Sequence, residues 1–206
     1  MIAAAGSVQA LVFDLGGVIV PHDNDALYAR LVSRCAAPNA MDLILAESGD
    51  PRYGAGEVGV DALHARLVDE LGYDGDWDVF VEDWCSHLGL DQSMLEFVGE
   101  LAQRNRLMLF SNTNRVHWEH VNALSGGALG QLEAYLSHEI GAVKPDLHAF
   151  RLVTELAGME PGRALFIDDR MDNVEAARRA GYQAEQFTDQ ATLEGLLRSR
   201  GVRWTN

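Results

Sequence analysis

The feature that most constrains the fold of this 206-residue chain is a set of short apolar runs that end in polar residues. The first run, residues 8–13, leads into Phe13-Asp14-Leu15-Gly16-Gly17-Val18, where an acidic residue precedes two glycines. Runs at 107–110 and 164–167 are also followed at once by polar side chains. Short apolar runs bounded by turn residues are typical of strands buried on both faces. The sequence therefore predicts a buried sheet with polar groups at its strand ends.

Segments with helical periodicity follow these strands in the second half of the chain. Apolar residues recur at three- and four-residue spacing in 94–101, 147–156 and 172–180, and Pro145 is expected in the first turn of the second of these helices. Strands that alternate with helices predict an α/β fold, here a Rossmann-like, doubly wound parallel sheet. Such sheets place ligands at the carboxyl ends of their strands.

Between the first strand and this alternating part, the pattern is helical only. Apolar residues share helix faces in three places, which are Leu27, Leu31 and Val32, then Leu43 and Leu45, then Leu63, Leu67 and Leu71. Residues 18–21 before them are expected to continue in extended form. We therefore predict a small helical cap domain, residues 21–90, inserted into a core domain formed by 1–20 and 91–206.

The charge of the chain bears on its partners. Sixteen Lys and Arg residues against 31 Asp and Glu give a formal charge of -15, which repels nucleic acid and anionic membranes. Residues 1–6 lack the basic residues of a secretory signal, and no apolar run is long enough to span a bilayer. Cys35 and Cys85 are expected as free thiols. These observations predict a cytoplasmic protein with a small-molecule partner, and no pattern specifies its oligomeric state.

Four polar segments are expected to converge at one edge of the predicted sheet. They are Asp14, then Ser111, Asn112 and Thr113, then Lys144, then Asp168 and Asp169. Together they offer a carboxylate nucleophile, hydroxyl and amide donors for phosphate, a fixed cation, and oxygen ligands of the kind that Mg²⁺ prefers. Phosphoryl transfer needs this combination of groups. The sequence therefore predicts a Mg²⁺-dependent enzyme that acts on a small phosphorylated metabolite.

In their order, and over essentially the whole chain, these segments resemble the four motifs of the haloacid dehalogenase superfamily. The resemblance implies a phosphatase in which Asp14 forms an aspartyl-phosphate intermediate, while Ser111, Asn112, Thr113 and Lys144 bind the phosphate. It also implies that Mg²⁺ is held by Asp14, by the backbone carbonyl of Gly16, by Asp169 and by Asp168, the last as a ligand or as a partner of one. Asn173, a helical turn later, is implied to orient these acids.

The helical insertion resembles the first type of cap in this superfamily, that of subfamily IA, with Gly56-Glu57-Val58 as its characteristic segment. Three further stretches resemble the bacterial α-D-glucose-1-phosphate phosphatase branch. They are Leu15-Gly16-Gly17-Val18-Ile19-Val20, Ser111-Asn112-Thr113-Asn114-Arg115, and Asp168-Asp169 with Asp172-Asn173. This likeness implies a sugar 1-phosphate as substrate.

Gly16 is where the sequence departs from the family pattern. Most phosphatases of the superfamily carry a second aspartate at this position, which protonates the leaving group and later activates water. Loss of a general acid typically lowers a rate by ~10²–10⁴-fold. The enzyme is therefore expected either to favour leaving groups that need little protonation or to recruit another acid or a water. His22 and Asp23 are candidate substitutes, although such residues near a loop end are more often solvated or capping groups.

Two other functions fit parts of the same pattern. A dehalogenase of the superfamily also attacks with the first aspartate, but it needs no metal, which Asp168 and Asp169 argue against. A phosphate-binding module that lost turnover at Gly16 is the other alternative. His117, His120, His138 and His148 lack metal-ligand spacing and are assigned no chemistry. Weak specificity candidates in the cap are Arg52, Tyr53, Glu57, Trp77 and Trp84.

Overall fold

A computed structural model describes residues 7–48 and 50–204, and its centre is a five-stranded parallel sheet. The strands are β1 Ala10–Phe13, β2 Arg106–Ser111, β3 Glu133–Leu136, β4 Ala164–Asp168 and β5 Gln183–Gln186. Their order is β3-β2-β1-β4-β5, so the first strand lies between β2 and β4. Phe13, the last residue of β1, pairs with Leu109 on one side and Ile167 on the other. The order of the strands reverses between β1 and β4, which is where doubly wound sheets bind ligands.

Eleven α-helices connect and flank these strands in the described part of the chain. They are α1 Asn24–Ser33, α2 Ala40–Ser48, α3 Pro51–Gly54, α4 Val60–Leu71, α5 Trp77–Cys85, α6 Gln92–Ala102, α7 Arg115–Leu124, α8 Ser137–Ile140, α9 Leu147–Ala157, α10 Met171–Arg179 and α11 Gln190–Ser199. Short 3₁₀ turns at Leu129–Gln131 and Pro161–Arg163 precede β3 and β4. None of the helices in the two described ranges combines the length and apolar character needed to cross a bilayer.

Helices cover both faces of the sheet, and β1 contributes to both layers. Leu11 and Phe13 pack into a core with residues of α6 and α11, whereas Ala10 and Val12 pack on the other face with residues of α9 and α10. This alternation is what the period of two residues in a strand requires when both faces are buried. The predicted Rossmann-like, doubly wound parallel fold is confirmed.

Helices α1 to α5 lie in the connection between β1 and β2 and share a core of their own. Leu27, Leu31, Leu63, Leu67 and Phe80 are buried in it. The aliphatic residues among them recur at the four-residue spacing that the sequence shows, so the predicted helical cap is present. Its bounds of residues 21–90 stay a prediction.

Three local expectations are wrong. Among the described side chains of α2, the buried ones are Ala40 and Ile44, which lie on one face a helical turn apart, while Leu45 is 45% exposed. Pro145 lies outside α9, since Asp146 caps that helix by accepting a hydrogen bond from the backbone N–H of His148. Residues 15–20 form a compact turn rather than an extended segment, with Val20 N–H donating to Leu15 O over 2.9 Å.

Candidate active site

Asp14 stands at the carboxyl end of the central strand and is nearly buried, with 7% of its surface exposed. Its backbone N–H donates to the carbonyl of Ile167 in β4 over 2.8 Å, which fixes the end of β1 against the end of β4. Carboxylate oxygens of Asp14, Asp168 and Asp169 consequently all lie within 4.8 Å of one another. The structure thus brings together the three acids that the sequence assigns to one site.

Lys144 reaches this cluster from the loop before α9. Its Nζ lies 3.0 Å from Asp14 Oδ1 and 2.7 Å from Asp168 Oδ2, and its side chain has no exposed surface. The ammonium also lies over the rings of Phe110 and Phe166, at 5.2 and 5.3 Å from their centroids. Burial raises the pKa of Asp14 to about 6, although the charge of Lys144 opposes that rise. The lysine therefore favours the ionised form of Asp14, which is the form a nucleophile needs.

Asn112 holds Lys144 in place through its side-chain amide. Nδ2 of Asn112 donates to the carbonyl of Lys144 over 2.7 Å, and the N–H of Lys144 donates to Asn112 Oδ1 over 2.9 Å. Both polar atoms of the amide are thus engaged by the backbone of Lys144. The sequence predicts phosphate binding for Asn112, which stays a prediction, whereas the structure gives its side chain a positioning contact.

Asp168 is surrounded by donors on both of its carboxylate oxygens. Oδ1 accepts from the N–H of Arg170 over 2.9 Å and from Asn173 Nδ2 over 3.0 Å. Oδ2 accepts from Lys144 Nζ over 2.7 Å and from Asn173 Nδ2 over 3.0 Å. Since Asp168 is also fully buried, these contacts suit a residue that orients Lys144 better than one that binds a metal directly. Asn173 thus contacts Asp168, and its implied role of orienting the acids stays a prediction.

Asp169 is half-buried, whereas Asp14 and Asp168 are buried. Burial and the neighbouring charge of Asp168 raise its pKa. Gly17 has a φ of +69°, and a Cβ at this position would lie 2.3 Å from Asp169 Oδ2. The absence of a side chain at Gly17 therefore makes the space in which the carboxylate of Asp169 sits.

The oxygen groups of this site fit a small hard cation. Carboxylates of Asp14 and Asp169 lie close together, and such oxygen ligands are the ones that Mg²⁺ takes in proteins. The turn after β1 is closed by Val20 N–H to Leu15 O and by Gly17 N–H to Val20 O, at 2.9 Å each. These hydrogen bonds engage Leu15 and Gly17, on either side of Gly16. The carbonyl of Gly16 accepts neither of them, which is compatible with its implied role as a metal ligand.

The loop after β2 carries the predicted phosphate-binding hydroxyls. Ser111 ends the strand and is 2% exposed. The N–H of Thr113 donates to Ser137 Oγ over 2.9 Å, and the carbonyl of Thr113 accepts from His138 Nδ1 over 3.0 Å. Ser137 Oγ also lies 2.5 Å from the carbonyl of Gly54 in α3. Helix α8 thus braces this loop, and His138, to which the sequence assigned no chemistry, supports it.

A cleft runs from this loop towards the helical cap. One cavity of about 220 Å³ is lined by Gly16, Ser111, Asn112, Thr113, His22, His87 and His117, among others. A second cavity of about 220 Å³ shares several of these residues and adds Tyr28, Tyr53 and Trp84 from the cap. A larger cavity of about 410 Å³ shares Tyr53 and Asn114 with the second cavity, but its lining includes neither Gly16 nor any of Ser111, Asn112 and Thr113. The candidate site is therefore identified by the polar residues at the strand ends and not by the volume of the cavity.

Of the histidines in this cleft, the sequence singles out His22 but not His87 and His117. His117 Nε2 donates to the carbonyl of Trp84 over 3.1 Å, while its Nδ1 accepts from Asn114 Nδ2 over 3.1 Å. Burial lowers the pKa of His117 to about 3 and that of His87 to about 4, so both rings are neutral near pH 7. His87 lies in the loop after α5 and His117 lies in α7, so no spacing in the sequence could have linked them.

The chain is similar to known proteins over most of its length. A family model described as haloacid dehalogenase-like hydrolase matches residues 8–181. A D-ribitol-5-phosphate phosphatase of Bacteroides thetaiotaomicron is 24% identical over 188 residues, covering 87% of this chain and 91% of that protein. A validoxylamine A 7'-phosphate phosphatase of Streptomyces hygroscopicus subsp. limoneus is 26% identical over 193 residues, covering 91% of this chain and 89% of that protein.

Solved structures share the fold. A HAD family enzyme of Bacteroides thetaiotaomicron superposes with a TM-score of 0.81 at 23% identity, over 91% of this chain and 98% of that one. The wild-type form of that enzyme, in complex with magnesium and inorganic phosphate, gives a TM-score of 0.78 at 22% identity, over 90% of this chain and 98% of that one. These matches support the α/β architecture described above.

Proposed function

The chain belongs to the haloacid dehalogenase-like hydrolases, and from that premise we propose that it hydrolyses a small polyhydroxylated phosphate monoester, with Asp14 as the nucleophile. It is a phosphatase that depends on Mg²⁺. The observation that carries the proposal is the position of Lys144 Nζ, 3.0 Å from Asp14 Oδ1, beside three clustered carboxylates at the strand ends. This arrangement provides an ionised nucleophile and a fixed cation in one buried site.

In the proposed reaction, a carboxylate oxygen of Asp14 forms a bond to phosphorus while the bond from phosphorus to the leaving oxygen breaks. Water then attacks the aspartyl phosphate, which releases inorganic phosphate and regenerates Asp14. Asp14 Oδ1 accepts from the N–H of Leu15 over 2.7 Å as well as facing Lys144, so the orientation of the carboxylate is fixed before the substrate arrives.

The surrounding residues have complementary parts in this proposal. Asp14, Asp169 and the carbonyl of Gly16 would hold Mg²⁺, which when bound offsets the repulsion between the nucleophile and the phosphate. Ser111 and Thr113 donate to phosphate oxygens, and Lys144 balances their negative charge. Asp168 and Asn112 keep Lys144 in position through the contacts described above.

Two observations support a polyhydroxylated substrate. Both relatives are named for phosphates of hydroxyl-rich molecules, and the sequence resembles a branch that takes a sugar 1-phosphate. Trp84 Nε1 is buried without a hydrogen-bond partner among the described residues, and Trp84 lines the second cavity. A substrate hydroxyl can supply that partner.

The test is release of inorganic phosphate from a panel that contains ribitol 5-phosphate, glucose 1-phosphate and 4-nitrophenyl phosphate, with Mg²⁺ and with a chelator. We expect turnover that the chelator abolishes and that Asp14→Asn reduces to background. Glu175→Gln, which removes an exposed acid on α10, is the matched control and should retain activity. Halide release from a haloacid without Mg²⁺ would instead show a dehalogenase, and phosphate binding without turnover would show a binding module.

We also propose a cytoplasmic location. Both cysteines, Cys35 and Cys85, carry free thiols, which supports a reducing compartment. Fractionation of the source cells, with detection of this chain by an antibody, tests the proposal, and recovery from the extracellular medium would contradict it.

A further inference from the structure

A phosphatase that acts on an alkyl phosphate must protonate a poor leaving group, and Gly16 has no side chain that could do so. The inference that follows rests on the proposed function, since it concerns the proton that this reaction requires. A replacement acid would have to lie where a side chain at position 16 would be.

The imidazole of His22 lies there. A Cβ built on Gly16 would be 3.6 Å from His22 Cε1 and 3.7 Å from His22 Nδ1, which is ordinary van der Waals contact. No other residue comes within 4 Å of that Cβ, apart from the chain neighbours of Gly16, among the described residues. The ring of His22 therefore faces the space that the side chain of residue 16 would enter.

His22 is held at this place by its backbone. It forms an antiparallel bridge with Leu88, and its Nδ1 lies 3.5 Å from the carbonyl of Val20, at the end of the turn after Asp14. The residue also lines the same cavity of about 220 Å³ as Gly16, Ser111 and Thr113. The imidazole thus shares a cavity with the proposed phosphate-binding groups.

The other titratable groups near this cavity are less suited to donate a proton. His87 and His117 line it too, but burial lowers their pKa values to about 4 and about 3, so neither carries a proton to give near neutral pH. Asp23 is used as the N-cap of α1, where its Oδ1 accepts from the N–H of Ala26 over 3.0 Å. His22, in contrast, is exposed to solvent and lines the cavity beside Gly16 without such a capping role.

We propose that His22 is the general acid and base that takes the place of the aspartate absent at position 16. Its imidazolium donates a ring N–H proton to the leaving oxygen as the bond from phosphorus to that oxygen breaks. The neutral imidazole then accepts a proton from the water that attacks the aspartyl phosphate on Asp14. One proton is thus given and one regained in each turnover, and no further reactant is needed.

The experiment compares two substrates whose leaving groups differ in basicity, 4-nitrophenyl phosphate and an alkyl phosphate such as ribitol 5-phosphate. We expect His22→Ala to lower kcat on the alkyl phosphate by ~10²–10⁴-fold, as loss of a general acid does, and to lower kcat on 4-nitrophenyl phosphate by less than about tenfold. The double variant Gly16→Asp with His22→Ala should recover much of the alkyl phosphatase rate. Backbone geometry allows this change, because Gly16 has no positive φ and its Cβ would meet only the ring that is removed.

Asp23→Asn is the matched control, since Asn can still cap α1 and only the competing acid is lost. It should keep the ratio of the two rates. Equal losses of His22→Ala on both substrates, no loss on either, or no recovery in the double variant would overturn the role of His22. Absence of Mg²⁺-dependent turnover of 4-nitrophenyl phosphate by the wild-type protein would instead overturn the proposed function, which separates the two failures.

Discussion

Lys144 and Asp168 form an ion pair that is closed to solvent: Nζ lies 2.7 Å from Oδ2, and neither side chain has any exposed surface. Two charges in such a place are stable only if both are paired and hydrogen-bonded. Asp168 has the further donors for this, from Asn173 and from the backbone of Arg170. The ion pair consequently contributes to the stability of the fold, and its lysine also supplies the positive charge that the proposed reaction uses.

Replacing Lys144 by Met should therefore destabilise the protein and abolish phosphatase activity together. The variant leaves the carboxylates of Asp14 and Asp168 buried without their cation, and breaking a buried pair in this way costs about 3–5 kcal/mol. The measurement is the free energy of unfolding in urea at pH 7, alongside phosphate release.

Arg66→Met is the matched control for that measurement. Arg66 pairs with Glu70 over 2.9 Å on the surface of α4, where both side chains are more than a third exposed. An exposed pair of this spacing contributes only about 0.3–0.5 kcal/mol. If Lys144→Met lost no more stability than Arg66→Met, the buried pair would not have the role assigned to it.

The strand-end residues could be predicted from sequence because β1, β2 and β4 are almost wholly buried and read as apolar runs. Strand β3, at the edge of the sheet, is Glu-Ala-Tyr-Leu and only half-buried, so it gave no such signal. Helix α7 was missed for a related reason, since Val121 is its one buried residue. The formation of β3 and α7 therefore depends on tertiary contacts and not on a local pattern of apolar residues.

The contacts of Asn112 and His22 show a second limit of sequence reasoning. Asn112 follows β2 as a phosphate ligand would, yet its amide is bonded to the backbone of Lys144, 32 residues later. The place of His22 beside Gly16 depends on how the turn of residues 15–20 folds back. Motif spacing records which residues follow a strand, but not what their side chains contact across the sheet.

His117 should make the protein less stable in mild acid. Burial, together with the nearby His87, His120 and His22, lowers its pKa to about 3, whereas an unfolded histidine has a pKa of about 6.5. The unfolded chain therefore binds a proton that the folded chain does not, so stability is lost as the pH falls below about 6.5. Linkage gives a loss of about 2 kcal/mol from this residue between pH 7 and pH 5.

Urea unfolding at the two pH values, for the wild-type protein and for His117→Gln, tests this expectation. The variant should lose about 2 kcal/mol less than wild type between pH 7 and pH 5. His148→Gln, at an exposed position in α9, is the control and should leave the pH dependence unchanged. An unchanged pH dependence in His117→Gln would show that this histidine does not titrate as described.

Asp169→Asn should weaken the response to Mg²⁺ without weakening the fold. Removing a proposed ligand should raise the Mg²⁺ concentration for half-maximal activity by at least ~10-fold, the smallest effect typical of groups that support a metal site. Burial and Asp168 already disfavour a charge at Asp169, so the metal-free variant should unfold at no lower urea concentration than wild type. Asp172→Asn, whose carboxylate pairs with exposed Arg170 over 2.6 Å, is the control and should respond to Mg²⁺ as wild type does.

Gly17→Ala tests whether activity depends on the position of the Asp169 carboxylate. Gly126→Ala is its control, because it introduces similar backbone strain away from the site. Both glycines have positive φ, +69° and +63°, so alanine at either position should cost about 1–2 kcal/mol of stability. Only at Gly17 would the new Cβ collide with Asp169, whereas nothing lies within 4 Å of it at Gly126. We therefore expect similar losses in urea unfolding, but a reduced kcat and a raised Mg²⁺ requirement for Gly17→Ala alone. Equal kinetics in the two variants would mean that the carboxylate can move without consequence, and the proposed metal site would then need a different ligand.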